Sequence, residues 1–191
     1  MRPVFERQQK ILEAAVRVIA RSGVRGLRVE KIAAEAGIST SLIYYHFTNR
    51  AGLLRKTLEF VSDRAAAYTE EAAAEAADPR AELELMLFGE LQDTQAVKEN
   101  STAWGELRAS AVFTPELREP LAESTRIWVA EVAEVIRRVH DTGAEAEDAA
   151  ERLTSLVEGL SERWLSGSME LDRARGLLRD AIALELDRVG A

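Results

Sequence analysis

The chain has 191 residues, no cysteine, and a composition that is 47% hydrophobic and 30% charged. That suits one large globular domain or two small ones, and excludes a disulfide framework or a thiolate metal site. No apolar run approaches the roughly 18 residues that cross a membrane. The opening Met-Arg-Pro-Val-Phe-Glu-Arg lacks the apolar core of a signal peptide, so the expected location is the cytoplasm with no membrane partner.

The net charge of −8 conceals an asymmetry. Residues 1–57 hold 11 Lys+Arg against 4 Asp+Glu, a balance of +7, and the remainder carries −15. One end of the chain therefore suits a polyanion and the rest does not.

Hydrophobic spacing is helical throughout, with no sustained strand alternation, so the expected fold is all-α with about nine helices. Ile11, Ala15, Val18 and Ile19 mark one face of a first helix, which Gly23 and Gly26 end. Val29, Ile32, Ala33 and Ala36 mark a short second helix. Gly37 suits the left-handed position after it. Ser39 suits the N-cap of a third helix, whose apolar side is Ile43 and Phe47 with Leu42 at its edge. Asn49 can cap a fourth helix starting near Arg50, with Leu53, Leu54, Leu58 and Val61 inside. It should continue through the alanine-rich Ala65–Ala77 to Pro79, and about 25 residues of helix span about 37 Å.

Five further helices are expected, over 80–97, 101–112, a long one ending near His140 and Gly143, then 145–166 and 172–188 with Asp172 as N-cap. The long one has two possible openings, Thr114-Pro115 and Pro120. Proline is uncomfortable in a helix interior, so a kink or a delayed start is expected there.

Two short helices joined by a glycine turn form a helix-turn-helix. A recognition helix needs polar side chains at its entering end and an apolar face holding it down. Thr40, Ser41, Tyr44, Tyr45 and His46 supply the first, with groups that hydrogen-bond to phosphates or base edges. Arg50 and Arg28, each at the start of a helix, are placed to hold backbone phosphates. The bland alternatives are a buried tyrosine, a locally bonded His46, and Arg25, Lys31 and Lys56 as a solvated surface that attracts DNA.

Residues 8–60 resemble the N-terminal domain of TetR-family transcriptional regulators. The match runs from Ile11 to Gly26, through Val29-x-x-Ile-Ala-x-x-Ala-Gly-Ile-Ser39, to Ile43-Tyr44-x-x-Phe47 and Asn49-Arg50-x-x-Leu53. The resemblance implies a three-helix DNA-binding head, residues 1–50, on a helical ligand-binding and dimerisation body, residues 51–191. It puts the third helix in the major groove. Arg50 replaces the family's usual lysine, Arg28 its usual threonine and Ser41 a common glycine.

Beyond residue 60 the resemblance is architectural. Trp104, Phe113 and Trp128 are the candidates to line an apolar effector cavity; in a helical bundle they could equally be core. Glu106 and Arg108 could add polar specificity there or lie on the surface. The wide apolar faces of the last two helices, with Leu153, Leu156, Leu160, Trp164, Leu178 and Ile182, suggest a C2 homodimer. The expected function is a repressor that leaves a palindromic operator in double-stranded DNA when a small apolar or amphipathic effector binds. No metal, no cofactor and no enzymatic activity is expected. The alternative is a helical interaction protein whose basic head binds a protein partner.

Overall fold

The computed structural model describes residues 2–74, 76–140 and 145–190, with side chains for 5–67, 76–139 and 145–190. Gly143 lies outside the described residues. Among those described there are nine α-helices and no strand: α1 Arg2–Ser22, α2 Val29–Ala36, α3 Thr40–His46, α4 Arg50–Ala74, α5 Pro79–Phe88, α6 Gln95–Ala111, α7 Arg118–His140, α8 Ala146–Leu165 and α9 Leu171–Val189. Short 3-10 turns cover Val24–Gly26 and Pro115–Leu117.

The chain packs as two compact units. The first comprises Met1–Arg64 and Glu99–Ala122, the second Ala65–Lys98 and Glu123–Ala191. In the first, Ile11, Val18 and Ile19 of α1 pack with Ile32, Ile43, Phe47, Leu54 and Leu58, and with Leu107 of α6. Burial of this apolar surface is what holds a seven-residue helix such as α3, which could not persist alone. In the second, Leu83 and Leu87 of α5 pack with Val132 and Ile136 of α7, Leu153 and Val157 of α8, and Leu178, Ile182 and Leu186 of α9.

Several boundaries differ from the sequence expectation. The helix expected over 80–97 stops at Phe88, and α6 starts at Gln95 rather than 101. Thr94 Oγ1 accepts the Val97 N–H at 3.2 Å, an N-cap that fixes the earlier start. The delayed start near Pro120 is real. Pro115 opens the 3-10 turn, α7 begins at Arg118, and Pro120 sits in its first turn, where no N–H partner is lost. The residue preceding α9 is Glu170, so Asp172 stands inside its first turn, where its charge still suits the helix dipole.

The six residues expected at the dimer interface lie mostly inside the second unit. Leu153, Leu160, Leu178 and Ile182 are 3% exposed or less within the single chain. Their side chains pack within the core of their own unit. Leu156 and Trp164 are half-buried against that same core. The large apolar side chain that α9 leaves outside is Leu184, 70% exposed.

Candidate nucleic-acid interface

The turn from α2 to α3 is built by three residues. Gly37 adopts φ 63 in the left-handed region, which glycine enters without strain. Its N–H reaches the Ala34 carbonyl, and the Ile38 N–H reaches that of Ala33 at 3.0 Å, closing α2 in a Schellman-type turn. Ser39 then caps α3 through a long bond to the Leu42 N–H at 3.4 Å, and its Oγ lies 2.9 Å from Ser41 Oγ.

This geometry sorts α3 into two faces. Ile43 and Phe47 are buried at 1% and 4% exposure. Tyr44 and Tyr45 stand outside at 57% and 79%, large rigid aromatics that a folded monomer does not need on its surface. Tyr45 meets the half-buried His46 edge to face, with ring centroids 5.3 Å apart. Thr40 is half-buried and Ser41 exposed at the entering end of the helix. Among the expected DNA contacts, Arg28 is also exposed, at the N-terminal boundary of α2, and makes no side-chain cap there. Arg50 is exposed too, yet its Nη2 donates to the Val24 carbonyl at 2.7 Å, so one of its N–H groups is committed inside the head.

The sequence did not indicate how this face is braced. Glu35 of α2 accepts from Arg17 Nε of α1 at 2.7 Å and also from Arg21. These hydrogen bonds, from Arg21 first and then Arg17, hold its carboxyl below the ordinary carboxylate range. Glu106 of α6 accepts the Val24 N–H at 2.9 Å. Val24 is thus gripped at both polar backbone atoms, by Glu106 and by Arg50. Neither contact has a sequence signature, because each joins residues far apart along the chain.

The expected effector residues do not come together in one unit. In the first, Trp104 is half-buried with the Arg108 guanidinium 5.6 Å from its ring centroid, while Phe113 follows α6 and is 80% exposed. Trp128, in the second unit, is half-buried against that unit's core. No group of three or more potential metal ligands occurs among the described residues, and no described helix is long and apolar enough to cross a membrane.

Residues 11–57 match the family model for bacterial regulatory proteins of the tetR family, and residues 79–187 match the C-terminal model of BetI-type transcriptional repressors. The chain belongs to the TetR family.

The HTH-type transcriptional regulator BetI of Burkholderia mallei (strain NCTC 10229) is 30% identical over 168 residues, covering 85% of this chain and 82% of that one. A TetR-family transcriptional regulator from Rhodococcus sp. has a similar structure, with TM-score 0.87 and 43% identity over 95% of this chain and 98% of that one. So does a transcriptional regulator from Saccharomonospora viridis in complex with choline, with TM-score 0.83 and 27% identity over 93% and 96%. Membership of the TetR family makes the chain a DNA-binding transcriptional regulator of BetI type, and its family consists of regulators rather than enzymes. It does not favour a head built for a protein partner.

Proposed function

We propose that the protein is a homodimeric repressor that leaves a palindromic operator when a small amphipathic effector binds its body. The observation that carries this reading is α3 itself, pinned by Ile43 and Phe47 with Tyr44 and Tyr45 outermost. Residues 1–50 read DNA in this account, through Thr40, Ser41, Tyr44, Tyr45 and His46 on α3, with Arg28 and Arg50 on the phosphates. Residues 51–191 bind the effector and pair two chains, so that two recognition helices meet half-sites about one helical turn apart.

The choline complex of the Saccharomonospora viridis regulator makes small quaternary ammonium compounds the first effectors to try. Two features of this chain agree with a cationic ligand. Residues 58–191 carry −15, and Trp104 already holds one cation, Arg108, over its ring, the kind of contact a quaternary ammonium makes.

The deciding experiment is selection of bound sequences from a random duplex pool with the ligand-free protein. A palindromic motif is the expected result. Failure to recover any motif at low salt would overturn the reading. Effector coupling is tested on the selected operator: choline should weaken operator binding, and operator should weaken choline binding by the same factor.

A further inference from the structure

We propose that the second unit holds a separate site for a small carboxylate with an apolar body, in the cleft between α5 and α9. The cleft has a volume of about 370 Å³ and is lined by Leu85, Phe88, Gly89, Gln92, Arg175 and Arg179. That volume lies within the range of small-molecule sites. It is independent of the effector reading above.

Three observations converge. First, the lining includes two arginines and no carboxylate, although residues 58–191 carry −15. Asp93, which follows Gln92, is hydrogen-bonded by Lys98 at 2.6 Å and feels the charge of Arg175 more weakly, without an ion pair between them. Second, neither arginine makes an ion pair among the described residues, whereas Arg80, Arg126, Arg137, Arg138, Arg152 and Arg188 each meet a glutamate. Arg175 spends only its Nε, on the Leu91 carbonyl at 2.9 Å. Arg179 lies over the Phe88 ring at 5.5 Å, which orients its guanidinium without neutralising it. Third, one wall is apolar, with Leu85 39% exposed and Phe88 half-buried.

An anion alone would leave that wall wet. A neutral apolar molecule would leave the Arg179 guanidinium and the terminal nitrogens of Arg175 unused. A carboxylate with a short alkyl or aryl body satisfies both, its oxygens on Arg175 and Arg179 and its body on Leu85 and Phe88. Arg175 also ties α9 to the turn after α5, and a ligand that binds the folded chain there raises the melting temperature.

The test is calorimetric titration of the full chain with octanoate, 1-octanol and acetate, alongside thermal melts. Octanoate should bind and raise Tm, with 1-octanol and acetate each at least about tenfold weaker, the worth of a charge-assisted hydrogen bond or of a buried short chain. Arg179→Gln, at an exposed position that leaves the fold intact, should weaken octanoate by about tenfold, and Trp104→Phe should not change it. Equal affinity for 1-octanol, undiminished binding by Arg179→Gln, loss of binding in Trp104→Phe, or no octanoate binding at millimolar concentration would each overturn the proposal.

Discussion

The Glu106 carboxylate of α6 accepts the backbone N–H of Val24, 82 positions earlier, at 2.9 Å. Val24 opens the 3-10 turn that leads from α1 into the helix-turn-helix, so α6 directly fixes the entrance to the reading head. Gly23 makes room for this. Its φ is +67, and a Cβ there would lie 2.8 Å from Glu106 Oε2. Gly23→Ala therefore meets backbone strain, and it obliges the Glu106 carboxylate to swing aside and loosen its hold on Val24. It should cost about 1–3 kcal/mol in urea unfolding. Glu106→Ala strands a backbone N–H and should cost about 1–2 kcal/mol. A Glu106→Ala chain as stable as the parent would show the contact to be idle.

Tyr45 offers a cleaner separation of binding from folding. At 79% exposure its side chain contributes little to the core, so Tyr45→Ala should melt with the parent chain. Operator affinity should nevertheless fall by about tenfold, the worth of one hydrogen bond together with its apolar contact. Gel-shift titration beside a thermal melt reads both quantities. Unchanged affinity would remove Tyr45 from the interface.

The head was largely legible in the sequence because its determinants are local. The spacing of Ile11, Val18, Ile32, Ile43 and Phe47 gave the buried faces, and Gly37, Ser39 and Asn49 mark the turns they occupy. The break between α5 and α6 was harder. Gly89 follows α5 in ordinary right-handed backbone, so the stop lacks a left-handed glycine signal, and only the Thr94 cap betrays the restart. The long-range contacts were invisible, since nothing in helical periodicity joins Glu106 to Val24 or Arg175 to Leu91. The dimer interface poses a different difficulty. Periodicity shows that a face of α8 or α9 is apolar, but not whether its own chain or a second copy covers it. Leu178 and Leu184 are both leucines on α9, one buried and one bare.

That contrast gives a test of the dimer. Leu184→Glu puts a charge on the exposed position and should yield a monomer by analytical ultracentrifugation while the chain stays folded. Leu178→Ala instead opens a void in a fully buried site and should cost about 3 kcal/mol of stability. A Leu184→Glu chain that still sediments as a dimer would move the interface away from this part of α9.

Acid should loosen the molecule through two carboxylates. Arg152 of α8 makes a two-pronged contact with Glu185 of α9, both distances 2.7 Å. Those hydrogen bonds hold the Glu185 carboxyl below its ordinary value of 4.5, and Arg21 and Arg17 do the same for Glu35 in the head. A carboxyl whose folded pKa is depressed binds its proton more readily when unfolded. It therefore stabilises the fold above about 4.5, and that contribution disappears as pH falls through the lower folded value. Glu185→Gln should cost about 1 kcal/mol at pH 7, discounted because Arg152 is 37% exposed. The more exposed Glu35 pairings should be worth about half of that. Urea unfolding of parent and Glu185→Gln chains at pH 7, and again at about pH 3, should show the difference shrinking in acid. A difference that stayed constant across that range would mean that Arg152 gains nothing from the charge on Glu185, and that the pair acts through packing alone.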